Sequence, residues 1–386
     1  MAGWSGMAGE HDFVVPDQAR AQGLADALAA YGFALVAAGP RRQGGWGVRA
    51  YDNGPYPADR VGYRSFRAVG RHAVVLARQH GGYWSGGSQC DPSMMPSSPP
   101  DAPIVLANPG NRPPVPTLVI TPAPPAARLA LTPDRVVDAA ADAAVDLTRL
   151  EDIPWAQLDH AHGAATDIAD LIRALVHQPD DFAAVLDELL GDDLLHQGTC
   201  YSATAPAMTF LTQLIVSGSL PASRRLELYS WLVYAADRWA ASLLGDADRA
   251  AVQHRPPAAD PWTQDVRRAV AGELPALLAR WGKEPPALRY VLACLAALYP
   301  DRGRIVADEV AAIAAEYTNT QHGAYLQLAA ALVRTDDDQA LVIARDILAW
   351  EDDLDPGWLD APGVTTTLRA GHVLAEGVLR TAGDTD

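Results

Sequence analysis

Apolar residues along this chain follow two different rhythms. Over roughly the first ninety positions, strand-like runs are interleaved with helix-spaced ones, whereas beyond about residue 150 only a period near 3.6 remains. Residues 11–15, 33–38, 46–51 and 83–84 read as strands. Between them, Leu24, Leu28 and Tyr31 share one helical face behind Asp17, a predicted N-cap, and ahead of Gly32, a predicted stop. Phe66, Val69, Ala73, Leu76 and His80 share another before Gly81-Gly82. The order strand, helix, strand, strand, helix, strand predicts an α+β ferredoxin-like sandwich over residues 11–89, four strands covered on one side by two helices.

Twelve prolines between Cys90 and Pro125 forbid a helix and disfavour a central strand. Residues 90–130 are therefore expected to be a Pro-rich linker. Within it, residues 116–121 and 127–131 read either as a small hairpin or as part of a bare spacer.

Residues 131–386 read as helix pairs throughout. Ile168, Leu171, Ile172, Leu175 and Val176 mark one helix, with Phe182, Val185, Leu186, Leu189 and Leu190 marking its partner. Met208, Leu211, Leu214 and Ile215 are followed in the same way by Leu226, Leu228, Trp231 and Leu232, and pairs begin again near 266, 305 and 340. Intervals of roughly 35–45 residues are those of HEAT or armadillo arrays. A single pair cannot bury its apolar stripe, so neighbours must cover one another; the expectation is an all-α HEAT-like solenoid with a long exposed face suited to holding a macromolecule.

Charge refines this picture. The chain has 386 residues, more than one core comfortably serves, and a net charge of −17. Up to residue 125 there are 10 Lys and Arg against 8 Asp and Glu, a net of +2; the remainder carries 20 against 39, a net of −19. Phosphate contacts need a positive surface, so the C-terminal part is not expected to bind nucleic acid directly, and a basic protein partner suits it better. Cys90, Cys200 and Cys294 are too few and too widely spaced for a disulfide framework or a CxxC metal pair. With no secretory start and no apolar run of membrane-spanning length, a cytoplasmic protein is expected.

The chemistry-bearing residues cluster in one region. His160 and His162, with Asp159 and Asp167 close by and His196 further along, are the one group that suggests a metal. Histidines two apart converge on an ion from a strand, whereas helix ligands want i, i+4 spacing. HExxH, Walker A, GxSxG and GxGxxG motifs are absent. One reading is a metal-dependent hydrolase using His160, His162 and His196; the other is that these side chains pin a loop by hydrogen bonds, with no metal and no cofactor. Cys200 beside His196 and Ser202 suggests a nucleophile but lacks an orienting third group and an oxyanion hole. Thr199 or Ser202 is instead expected to cap a helix starting near Ala203. In the N-terminal unit Trp46, Tyr56, Tyr63, Arg60 and Arg64 are the residue types that concentrate binding energy, although Trp46 and Tyr51 also fit a core.

Two resemblances follow from particular segments. Residues 21–33 (AQGLADALAAYGF) and 69–87 (VGRHAVVLARQHGGYWSGG) resemble the RraB-like ribonuclease E inhibitor domain, which implies a non-catalytic regulator. Residues 153–165 (IPWAQLDHAHGAA), 187–189 (DEL), 196–201 (HQGTCY) and 204–211 (TAPAMTFL) resemble a bacterial HEAT-repeat protein family. In that family the His-Gln-Gly-Thr-x-Tyr loop joins the first two helix pairs; this chain has Leu195 where a Trp often stands. The resemblances imply a protein-binding module of inhibitor or immunity type, not an enzyme, with Trp155, His160, His196, Gln197 and Tyr201 among its contact residues.

Overall fold

Asp17 does cap the first helix, its Oδ1 accepting from the Arg20 backbone N–H at 2.9 Å, and Gly32 ends it at a φ of 121°, where a side chain would be strained. That helix, α1 (Gln18–Tyr31), follows strand β1 (Met7–Val15) and precedes β2 (Leu35–Pro40) and β3 (Trp46–Tyr56); α2 (Arg60–Gln79) and β4 (Tyr83–Cys90) complete the series. The computed structural model describes residues 6–96, 100–108, 110–115, 121–132, 147–177 and 179–385. They fall into two compact units, one built on 1–122 with 246–257 and 361–363, the other on 123–245, 258–360 and 364–386.

In the first unit the strands form an antiparallel sheet in the order β4-β1-β3-β2, extended by β5 (Ile104–Ala107) on the β2 edge. This is the connectivity predicted from the pattern, widened by one strand. Both helices pack on the sheet, where Phe13, Val15, Leu24, Leu28, Val36, Val48, Val69 and Ala73 make one buried core. Leu35, Ala37 and Tyr51 point to the other face, under Met95, Ala102 and Val105. Alternation along β2 therefore serves two apolar faces.

The Pro-rich stretch is only partly a linker. β5 arises from it, directly after Pro103, at a sheet edge where proline's missing N–H does no harm. Further on, the chain is laid along the second unit: Pro125 and Ala130 carbonyls accept from the Gln321 and Ala287 N–H groups at 3.0 and 3.2 Å, and the Ala127 N–H donates to His322 Nδ1 at 3.2 Å. Of the suggested hairpin, residues 116–120 lie outside the described residues.

The second unit is helical: α3 (Ile168–His177), α4 (Phe182–Leu186), α5 (Thr204–Ser217), residues 222–245 of α6 (Ala222–Val252), α7 (Pro261–Leu278), α8 (Pro286–Leu298), a short α9 (Pro300–Gly303), α10 (Ala307–Glu316), α11 (Gln321–Val333), α12 (Asp337–Trp350) and α13 (Thr366–Thr381). The period-3.6 reading located most of these helices, but not α9, the full length of α6 or the π-helical end of α4. It did not rank them by depth. α8 buries every residue except Arg289, and α11 is nearly as enclosed, so these two form the centre while amphipathic neighbours surround them. Cys294 on α8 is a small core residue. α13 packs against α12 and also reaches α8 and α11, beyond the nearest-neighbour contacts of a simple layered array. A Cβ at Gly377 of α13 would lie 2.0 Å from a Tyr325 ring carbon, so glycine is what allows α13 to approach α11 this closely. Asp336 caps α12 by accepting from the Gln339 N–H at 3.1 Å, which gives that acidic run its helix-terminal role. Among the described residues no helix is long and apolar enough to cross a membrane.

Candidate functional site

The His-rich region is a surface junction in the second unit, made by a hairpin and a loop. Strands β6 (Asp159–His160) and β7 (Gly163–Ala164) form the hairpin. α4 continues into a π-helical turn (Asp187–Leu194), which puts Asp192 and His196 one turn apart. The hairpin is tied down by three bonds: the Asp159 N–H donates to Ser202 Oγ at 2.7 Å, the Ala161 N–H to the Asp193 carbonyl at 3.0 Å, and the Ala203 N–H to the Asp159 carbonyl at 3.1 Å. Ser202 thus holds the hairpin instead of capping the next helix. α5 starts without a side-chain cap, and Thr204 takes over locally, accepting from the Tyr201 N–H at 2.9 Å and donating to the Leu194 carbonyl at 2.7 Å.

This junction brings the three imidazoles into a row. Ring centroids of His160 and His162 are 5.9 Å apart, and those of His162 and His196 are 5.6 Å apart. Their roles differ. His160 is buried, with Nδ1 3.2 Å from both Asp193 Oδ1 and the His162 backbone N–H, and Nε2 3.4 Å from Asp167 Oδ1. A proton on Nδ1 serves Asp193 and a bare Nδ1 accepts from His162, so the two contacts alternate with tautomer. Burial raises the Asp193 carboxyl above its ordinary range. His162 Nε2 and His196 Nδ1 instead converge on Asp192 Oδ1, at 3.3 and 3.4 Å. Gln197, next to His196, has a φ of 50°, and Gly198 a φ of 80°; a Cβ at Gly198 would lie 3.1 Å from Arg238 Nη1.

Other candidate residues are dispersed. Trp155 is core, donating from Nε1 to the Leu150 carbonyl at 2.9 Å. Burial pushes the Cys200 thiol up to about 12, so it stays protonated at neutral pH and is no ready nucleophile. In the first unit Tyr56 is buried, its hydroxyl donating to Asp52 at 2.8 Å, so it does not belong to an exposed patch. Trp46 is half-buried against the sheet core, Tyr51 is buried on the opposite face, and Arg64 is half-buried. The side chain of Arg60 lies outside the described residues.

Two features escaped the sequence reading. The first is a buried constellation of α6 and α13: His372 Nδ1 lies 2.7 Å from Asp237 Oδ2, with Trp358 across the imidazole at 4.2 Å. Arg238 reaches Asp237 and Glu376, 3.3 Å from each, and stacks 3.9 Å from the Tyr234 ring centroid. Its guanidinium supplies one positive charge between these two carboxylates, and Asp237 Oδ1 is buried without a hydrogen-bond partner among the described residues. The second is an open groove of about 520 Å3 lined mainly by Leu226, Glu227, Trp231, Tyr234, Glu376 and Leu379. The loop 191–198 borders it, Gly191 approaching Trp231 and Gly198 approaching Tyr234. Trp231 and Tyr234 at i and i+3 on one helix were a signal for that face, obscured because Trp231 also fits the helix's apolar stripe. Protein-family models, curated proteins and solved structures contain no match to this chain.

Proposed function

We propose that the protein is a non-catalytic protein-binding module, of inhibitor or immunity type, that sequesters a protein partner in the cytoplasm. The groove on α6 and α13 carries this reading. Trp and Tyr at an open, mostly apolar surface are the side chains that anchor interfaces, and Glu227 and Glu376 at its edge suit an apolar segment flanked by basic residues. The strongly acidic C-terminal composition supports the same partner chemistry. The split sandwich of the first unit is compatible with the RraB-like resemblance, and the succession of helix pairs supports a HEAT-like reading of the second, with the return of α13 to α8 as a departure from it.

The test is a photo-crosslinking residue at Leu379, inside the groove, compared with one at Val342, exposed on α12. A saturable protein adduct specific to position 379 is expected in the source cell. Equal labelling at both positions, or no adduct, would remove the support. A second reading, a metal-dependent hydrolase, is favoured by the row of imidazoles at the loop junction; it requires an activity that tracks stoichiometric metal and disappears in His162→Ala.

A further inference from the structure

The row of histidines divides chemically. His160 faces inward, its two ring nitrogens engaged with Asp193, Asp167 and the His162 backbone, which removes it from any ligand set. His162 Nε2, Asp192 Oδ1 and His196 Nδ1 instead face one another at the surface, all within 4.8 Å. We propose that these three atoms form a binding site for a zinc-class divalent cation, with one coordination position left to solvent.

Three observations bear on this. The separations of 3.3 and 3.4 Å between Asp192 Oδ1 and the two imidazole nitrogens match the edge of a tetrahedron whose centre is about 2.0 to 2.1 Å from each corner, the Zn–N and Zn–O bond length. Two nitrogens and one carboxylate oxygen form a borderline-soft set; Ca2+ and Mg2+ need more oxygens than this. The ligands also come from two separately anchored pieces of chain. His162 sits on the β6-β7 hairpin, while Asp192 and His196 are supplied by the π-helical turn and the loop after it, and backbone bonds from Ala161 and Ala203 fix one piece against the other. π-Helical turns are frequent at functional sites. Side chains of His162 and Asp192 are more than half exposed, so an ion can enter without the fold opening.

This set differs from the triad suggested by the sequence. Asp192 replaces His160, and His160 becomes a buried strut whose contact with Asp193 orients the hairpin bearing His162. Binding would cross-link the hairpin to the loop that borders the groove, and so stabilise the folded junction by mass action. The site is independent of the groove proposal: either can fail alone.

The experiment uses the full chain, free of any affinity tag and stripped with chelator, titrated with Zn2+ by calorimetry and with Co2+ by visible absorption. One equivalent is expected to bind, with Co2+ giving intense tetrahedral ligand-field bands and Zn2+ raising the unfolding temperature of the helical unit. His162→Ala and Asp192→Asn, both at exposed positions that the fold tolerates, should each weaken Zn2+ binding by about 100-fold or more. Glu376→Gln, in the buried Asp237, His372 and Glu376 constellation, should leave the titration unchanged. The assignment is overturned if no stoichiometric Zn2+ binds, if binding persists in the His162→Ala/His196→Ala double variant, or if Glu376→Gln abolishes it.

Discussion

Glu284 provides a direct probe of how the helical unit is held together. Its carboxylate is fully buried, accepting from Arg225 at 2.7 and 3.2 Å, from Arg280 at 2.6 Å and from the Tyr229 hydroxyl at 3.4 Å. The two arginine side chains are only 10% and 8% exposed. Each also donates to a carbonyl, of Leu220 and Val216 respectively, so removing Glu284 takes the shared carboxylate from two guanidinium groups that stay fixed in place. Breaking a buried pair such as Arg225 with Glu284 costs about 3 to 5 kcal/mol, the range expected for Glu284→Ala. Glu284→Gln keeps one acceptor and the shape, and should fall at about 2 to 3 kcal/mol, the loss of charge-assisted hydrogen bonds. Asp360→Asn is the control. Its pair with Arg345 is 56% and 63% exposed, and such pairs contribute no more than about 1 kcal/mol. Urea unfolding followed by far-ultraviolet circular dichroism reads the helical transition. If Glu284→Ala were no more destabilising than Asp360→Asn, the network would not be a buried clamp and the reasoning would fail.

Two further perturbations address the cores. His11 is buried, stacked on Phe66 at 5.0 Å, and burial lowers its pKa to about 4 despite Asp12. Its contribution is therefore complete above about pH 6.5 and declines by roughly 3 kcal/mol as pH falls to 4, because only the unfolded chain takes up the proton. Asp52, pushed up to about 6 by burial, works in the opposite direction: its contribution is complete below the unfolded value near 3.8 and is lost as pH rises through 6. The wild-type first unit should thus be nearly flat in stability between pH 4 and 6.5, while His11→Phe should lose stability steadily as pH rises; parallel profiles would contradict this. Leu292, with no exposed surface in α8, should cost about 2 to 5 kcal/mol when changed to alanine, and an unchanged denaturation midpoint would remove α8 from the centre of the core.

Local rules carried the sequence reading a long way in the first unit. The Asp17 cap and the Gly32 stop are short-range signals that bounded α1, and the succession of strand-like and helix-like runs matched the element order, whereas the two apolar faces of β2 were not read. β5 was missed because twelve prolines argue against strands in general, while an edge strand needs only a few residues free of them. In the second unit, periodicity located most of the helices but not their depth. α8 and α11 read as ordinary members of pairs, since alanine-rich helices look alike whether half or fully enclosed. At the site, the histidines stood out by residue type. Asp192 did not, because Gly191-Asp192-Asp193 looks like a solvated helix end until the π-helical turn places its first carboxylate opposite His162. Trp155 and Tyr56 were misleading in the opposite sense, as side chains rich in binding energy that the fold uses inside.

The groove on α6 and α13 is the centre of the functional account, and the affinity of the crosslinked partner, once purified, tests it most directly. Equilibrium titration of that partner against the parent chain and a Trp231→Ala/Tyr234→Ala variant, at a temperature where circular dichroism shows both chains folded, should show a loss of about 2 kcal/mol or more, roughly thirtyfold in Kd. Equal affinity for the two chains would place the binding surface elsewhere and contradict the account.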